Sequence, residues 1–430
     1  MTRPLSVAVA GLGTVGGGVL RLLRDNAEIV AARAGRSIAV TAVSARDRLR
    51  ERSVPLAGLR WYEDPVAIAF DPGVDAVVEL IGGAEGPARA LVEAAIEAGK
   101  PVVTANKALI AIHGAELAAK AERHHVPLAF EAAVAGGIPV IKALREGLAG
   151  NRITWIAGIL NGTCNYILTT MRERGREFAE VLGDAQKLGY AEADPSFDID
   201  GIDAAHKLAI LAALAFGRPV AFDAVHTEGI RGISALDIAY ADQLGYRIKL
   251  LGIARQTEGG IEARVHPCMV PATSSVAQVE GVYNAVVAEG DFVGRIMLEG
   301  RGAGAGPTAS AVVADLVDVA RGRVTPVWGA SSGDLSDAPS VPMEAHTGFY
   351  YLRLMVIDQP GVIADVAAVL RDHGISLESL LQRGRSPGEA VPVAIVTHDA
   401  KESAMREALD KIAALDSVLE APTLIRIESA

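Results

Sequence analysis

Cysteine is scarce in this chain: two in 430 residues, Cys164 and Cys268, far apart and in no paired or metal-ligand spacing. A disulfide framework is therefore excluded, and a reducing compartment is expected. Positive charge is also in deficit. Lys and Arg number 41 against 52 Asp and Glu, a formal net charge of −11, which argues against a nucleic-acid or anionic-membrane surface. A local basic pocket for a phosphorylated ligand is compatible with that balance. The start, Met1-Thr2-Arg3-Pro4, leads straight into a short apolar strand and then glycines, which is neither a signal peptide nor a membrane span. The expected location is the cytoplasm, with neither membrane nor nucleic acid as partner. Hydrophobic residues make up 50% and charged residues 22%, so a folded protein is expected, and the length favours two or three domains, each with its own core.

The order of apolar runs and glycines predicts an α/β protein in three parts. Residues 5–10 read as a buried strand, followed by Gly11, Gly13 and Gly16 and then a helical pattern; further strands are expected at 37–43, 76–80 and 101–104, with a helix over 87–98. Strand and helix in alternation mean a parallel, doubly wound sheet of the Rossmann type. We assign it residues 1–130, with a helix from the 305–328 region packing back onto it. Residues 131–304 read as an α+β substrate-binding and dimerisation domain. The stretch 329–346 has linker composition, and 347–430 follows the order βαββαβ, the ferredoxin-like split motif.

In the first part, Gly11-x-Gly13-x-x-Gly16 follows an expected strand and opens an expected helix. Glycine is needed there for a tight turn, for close approach of the backbone to a pyrophosphate, and for packing of helix on strand, with the anion at the helix N-terminus. A nicotinamide dinucleotide is the expected cofactor. After the second strand comes Ser44-Ala45-Arg46-Asp47. Arg46 suits a ribose 2′-phosphate and so NADP(H), whereas Asp47 beside it leaves NAD(H) open as an alternative or dual cofactor.

Two lysines carry the chemistry. Lys107 falls just beyond a sheet strand, where ligands of doubly wound sheets bind, and Lys207 lies four residues after Asp203 on one helix face. Around them the text resembles homoserine dehydrogenase over roughly residues 5–330. The matching blocks, in that family's order, are Gly11-Leu12-Gly13-Thr14-Val15-Gly16, Thr104-Ala105-Asn106-Lys107, Phe130 to Pro139, Gly158 to Thr163, and Leu188-Gly189-Tyr190-Ala191-Glu192-Ala193-Asp194-Pro195 with Asp198, Asp203 and Lys207. Arg301-Gly302-Ala303-Gly304 with Pro307-Thr308 completes the set.

This resemblance implies that Lys207 is the acid/base group, Lys107 a second site lysine also near the cofactor, and Glu192 and Asp203 partners of the substrate. The implied reaction interconverts L-aspartate 4-semialdehyde and L-homoserine, toward threonine, methionine and isoleucine, with no kinase-like segment ahead of it. Thr14, Val15, Thr104 and Gly304 carry over as cofactor contacts. Glu131 and the carbonyls of Val134, Gly136 and Ile138 match positions that hold a monovalent cation, taken as sodium; oxygen ligands suit such a hard ion. A homodimer or homotetramer is implied as well.

The segment Asp358-Gln359-Pro360-Gly361-Val362-Ile363-Ala364, between a strand and a helix, resembles the ACT family of amino-acid-binding regulatory modules. Such modules commonly pair through their sheets, and the resemblance implies feedback, with L-threonine the natural effector. Three other features point elsewhere. Cys164 as a nucleophile would make the chain an aspartate-semialdehyde dehydrogenase; His206 beside Lys207 reads as packing or surface; Glu192, Asp194, Asp198 and Asp200 form an acidic run without a metal-ligand pattern. A non-catalytic dinucleotide and amino-acid sensor is the reading from another class, and it has no use for Lys207 and Asp203.

Overall fold

A computed structural model describes residues 3–52, 54–382 and 386–429, so Met1 and Thr2 of the N-terminal reading lie outside the described residues. The first sheet is parallel and consists of β1 (Leu5–Ala10), β2 (Ile38–Ser44), β3 (Arg60–Tyr62), β4 (Ala76–Glu79), β5 (Val102–Thr104) and β6 (Leu128–Ala129). Its order β3-β2-β1-β4-β5-β6 is the Rossmann arrangement, and strand order reverses between β1 and β4. Val7, Val9, Val77 and Val78 are fully buried, as expected for strands covered on both faces. Helices Thr14–Asp25 and Ala305–Ala320 cover one face, Pro87–Glu97 and Lys107–Arg123 the other. Gly18 permits the first of these contacts: a Cβ there would lie 2.3 Å from the carbonyl oxygen of Ala305.

The middle region forms β7 (Ile153–Ile159), β8 (His226–Thr227), β9 (Tyr246–Thr257), β10 (Gly260–Pro271), β11 (Tyr283–Gly290) and β12 (Gly294–Arg301). Five of these run antiparallel in the order β12-β11-β7-β9-β10, with β8 beside β10. Helix Ile202–Phe216 packs on this sheet and is apolar nearly all round, the pattern of a helix buried on every side. Asp203, His206 and Lys207 are its buried polar residues.

The linker stretch supplies β13 (Ser340–Val341), and the C-terminal module β14 (Thr347–Ile357), β15 (Leu377–Gln382), β16 (Ala390–Thr397), β17 (Ala400–Lys401) and β18 (Thr423–Ile427), with helices Val362–Asp372 and Glu402–Ala413. The order β18-β14-β16-β15 is ferredoxin-like. Its edge strand β18 also pairs in parallel with β10, Cys268 opposite Arg426 and Met269 opposite Ile427, so one 12-stranded sheet runs through both regions. An ACT module that pairs through its sheet with a second copy has β15 as its remaining edge. The stretch of linker composition is anchored along its length: β13 pairs with β10, Ser336 N donates to Gly217 O at 2.7 Å, and Ile261 N donates to Pro339 O at 2.8 Å.

Candidate active site

The three glycines of the first turn differ in what surrounds them. A Cβ on Gly11, whose φ is +101°, would lie 2.3 Å from Leu80 O, and one on Gly16 would lie 2.0 Å from Gly11 O. Those two are required by the protein's own packing. Gly13 has nothing within 4 Å of where its Cβ would be, so the open side of the turn faces a ligand's space. Helix Thr14–Asp25 begins there with no side-chain cap and no acidic residue in its first turn. Helix Ala305–Ala320, likewise uncapped behind Gly304, starts against Gly18. Two uncapped helix N-termini beside an open glycine turn fit the pyrophosphate of a dinucleotide.

Around this turn the other cofactor candidates fall into two groups. Thr14 and Arg46 are exposed, and Val15 is half-buried. The Asp47 carboxylate accepts from Leu49 N and Arg50 N at 2.8 and 3.2 Å, closing its own turn and leaving Arg46 as the adjacent charge free to face a ribose substituent. Thr104 is buried: its hydroxyl donates to Glu79 Oε2 at 2.5 Å and accepts from Asn106 N at 2.9 Å, so it shapes the floor of the site from within.

The two lysines meet on one carboxylate. Lys207 Nζ donates to Asp203 Oδ2 and to Leu160 O, each at 2.7 Å, while Lys107 Nζ lies 2.8 Å from Asp203 Oδ1. Lys107 starts the helix after β5 and Lys207 belongs to the second region, so Asp203 joins the two. An ammonium has three N–H groups, and the protein engages two on Lys207. The lysines also differ in exposure, 33% of the Lys107 side chain against 10% for Lys207. Burial lowers the pKa of Lys207, reinforced by the Lys107 charge and opposed by Asp203. Burial also works against the Lys107 ammonium, but Asp203, Asp198 and Glu192 outweigh it and raise its pKa. Burial disfavours the Asp203 anion too, yet the two ammoniums hold its pKa well below the carboxylate range.

Asn161 was not among the residues singled out, although it stands in the quoted block Leu160-Asn161-Gly162. Its carbonyl caps helix Gly162–Arg174 by accepting from Cys164 N at 2.8 Å, and its amide donates to Asp198 Oδ1 at 2.7 Å and Asp203 Oδ2 at 2.8 Å. Capping explains an Asn at a strand-to-helix junction; the bridge between two carboxylates is visible only in three dimensions. Asp198, from the acidic run, is thus a wall of the site, its pKa raised by burial and by Asp203. Glu192 is exposed at the rim.

His206 packs between Phe197 and Phe222, with ring centroids 5.5 and 4.3 Å away, and burial, helped by Lys107, takes its pKa down to about 4. Cys164 is fully buried, and burial raises its thiol pKa well above the usual value, the opposite of an activated nucleophile.

At the proposed cation position, the turn is made by Ala135 and Gly136, both at positive φ, +52° and +42°. No backbone N–H donates to the carbonyls of Val134 and Gly136 among the described residues, whereas Ile138 O accepts from Val140 N at 2.8 Å. The Glu131 carboxylate accepts from Ile141 N at 2.8 Å and Lys142 N at 2.9 Å, and burial with the nearby Asp315 raises its pKa to about 7. Two free carbonyls beside a buried acid fit a hard cation held by backbone oxygens.

Family models match along the whole order of the chain. The model of the homoserine dehydrogenase NAD binding domain covers residues 11–131, that of homoserine dehydrogenase itself 139–317, and that of the ACT domain 350–414. The homoserine dehydrogenase of Pseudomonas aeruginosa is 51% identical over 436 aligned positions, spanning 99% of both chains. The chain belongs to the homoserine dehydrogenase family. Among solved structures, the homoserine dehydrogenase from Thiobacillus denitrificans superposes with a TM-score of 0.94 at 51% identity over 99% of each chain. A hyperthermophilic archaeal homoserine dehydrogenase in complex with NADPH gives 0.65 at 26% identity, covering 75% of this chain and 100% of that one. Family membership makes the chain an NAD(P)-dependent oxidoreductase. It removes both the thiol-acylating alternative and the non-catalytic sensor.

Proposed function

We propose that the chain interconverts L-aspartate 4-semialdehyde and L-homoserine, the branch step toward threonine, methionine and isoleucine, with Lys207 moving the proton. The observation that carries this reading is the shared carboxylate: two ammoniums on Asp203, at the junction of the cofactor sheet and the second region. When bound, the nicotinamide supplies or accepts the hydride at the substrate carbon. The remaining N–H of Lys207 donates to the oxygen that becomes the alcohol, stabilising its charge and then neutralising it. Its lowered pKa lets it take the proton back during oxidation. Lys107 and Asp203, with Glu192 at the rim, bind and orient the substrate's charged ends. A spectrophotometric assay with L-homoserine and either NADP or NAD tests the reading; no turnover with either would refute it.

The cofactor reading extends this. Gly11, Gly13, Thr14, Val15, Gly16, Lys107 and Gly304 line the dinucleotide over a floor shaped by Thr104, and Arg46 favours NADP(H) over NAD(H) without excluding dual use. The NADPH complex of the archaeal relative supports a phosphorylated cofactor. Glu131, Val134, Gly136 and Ile138 hold a monovalent cation, taken as sodium, through oxygen atoms. The working division is 1–130 with 305–328 for cofactor, 131–304 for substrate and dimerisation, and 347–430 for regulation, joined by 329–346.

The regulatory reading places L-threonine at the ACT module as an inhibitor. Support comes from the Asp358 turn, where the carboxylate accepts from Ser386 N at 2.7 Å and Gly361 adopts a φ of +101° with open space beside it. Millimolar threonine that changed neither turnover nor melting temperature would refute it. A homodimer or homotetramer fits the free edges β12 and β15, with Phe292 exposed to 90% at the tip of the β11–β12 hairpin. No helix among the described residues is long and apolar enough to cross a membrane, and two free buried cysteines suit the cytoplasm.

A further inference from the structure

The strand pairing of β10 with β18 is short, two residue pairs, but a dense set of charges reinforces it. Arg426 on β18 is 1% exposed and donates to Glu402 Oε2 at 2.9 Å within its own module. The same guanidinium reaches out of that module to Glu228, with contacts of 2.8 Å to Oε2 and 3.0 Å to Oε1. Arg406 and His226 also hold Glu228, at 2.9 and 2.8 Å. A two-pronged Arg–carboxylate contact fixes direction as well as distance.

The turn that carries Glu228 touches the start of the helix bearing Asp203 and Lys207. Gly229 lies so close that a Cβ would stand 2.2 Å from Ile199 O, and Ile230 N donates to that same carbonyl at 2.9 Å. Gly201, the N-cap of the helix, faces Glu228 O at 3.2 Å and the Thr227 methyl at 3.1 Å from the position of its Cβ. Asp203 is two residues further on. The turn is pinned from behind as well, because Glu228 N donates to Val265 O on β10 at 2.7 Å.

We propose that Glu228 and Arg426 are positioning residues: the ACT module's Arg426 holds the 227–230 turn against the start of the Asp203 and Lys207 helix and so sets the alignment of that pair. The inference rests on the reading that Asp203 and Lys207 carry the chemistry. It identifies the physical link by which a displacement of the ACT sheet reaches the site. Coupling here passes through packed backbone and one ion pair, with neither residue touching substrate.

The test compares Glu228→Gln with Glu428→Gln in the full chain. Glu428 pairs with Arg264 at 2.6 Å across the same seam; Arg264 stands opposite His226, ahead of the 227–230 turn, and the Glu428 carboxylate makes no hydrogen bond to that turn among the described residues. Arg426 keeps Glu402 in the first variant, so no buried charge is left alone. Glu228→Gln should lower kcat for homoserine about fivefold or more with the KM for cofactor unchanged, and Glu428→Gln should leave kcat as it was. Hydrogen exchange of the amides of residues 199–207, measured without substrate, should rise in Glu228→Gln alone. If Glu228→Gln does not fold, Arg426→Lys, which keeps the charge and loses the fork, is the replacement and should shift both readouts in the same direction. Equal kcat and equal exchange in the two seam variants would overturn the proposal and leave the ion pair as a staple. Exchange that rises in Glu228→Gln while the parent chain itself does not turn over homoserine would refute the functional reading and keep the coupling.

Discussion

The two sheets of this molecule handle polar groups in opposite ways. The parallel sheet is largely apolar within and carries no buried ionised group until its strands end, where Ser44, Glu79 and Thr104 lie. The 12-stranded sheet carries ionised groups through its middle, where Arg264, Arg426 and Glu262 are nearly inaccessible and Arg426 meets the buried Glu402 at the start of a covering helix. In the first case the glycine turn at a strand-order reversal is left open beside Gly13; in the second, burial ties a module to its neighbour through pairs that are costly to break. Chemistry therefore belongs to the edge of one sheet, and linkage to the seam of the other.

The site at the edge breaks most completely if its common anchor is neutralised. Asp203→Asn should lower kcat/KM by about 10² or more, because one ammonium is no longer held and the other is misdirected. Steady-state kinetics with homoserine check this. Next in size is the contrast within the glycine turn. Gly11→Ala places a Cβ 2.3 Å from a backbone oxygen at a φ of +101°, so it should destabilise the fold by about 2 kcal/mol or more. Gly13→Ala should leave the melting temperature unchanged and weaken cofactor binding about tenfold, read by titration of nicotinamide fluorescence.

The pH prediction is smaller and has a fixed sign. On the proposed reading, oxidation of homoserine needs neutral Lys207, so its rate is expected to rise with pH through the pKa of that group. Lys107→Ala removes a neighbouring positive charge and leaves Lys207 as the one ammonium on Asp203, which raises the Lys207 pKa, so the rising limb should move to higher pH. A limb that moved to lower pH would show that Lys107 acts on Lys207 by something other than its charge. The smallest effect is at Cys164: Cys164→Ala should retain turnover within about twofold, since the thiol is buried and protonated.

Much of this was legible before the structure. Glycine spacing after an apolar strand predicts the Rossmann unit, and alternation with turn residues predicts the ferredoxin-like module, because both patterns are local. Asp203 and Lys207, with His206 beside them, stand out as ionisable residues on an otherwise apolar helix. What could not be read was long-range geometry: the bridge by Asn161, the sharing of one Asp203 carboxylate by both lysines, and the join of β18 to β10. Arg426 and Glu228 are nearly two hundred positions apart, and neither carries a local motif. The 329–346 stretch has a tether's composition, yet backbone hydrogen bonds anchor it, a property composition does not encode.

The central claim is that Lys207 moves the proton. Its most direct test is homoserine oxidation by Lys207→Ala beside the parent, with NADP affinity measured on both. The account predicts turnover reduced by about 10³ with cofactor affinity unchanged. Full turnover in Lys207→Ala would contradict it.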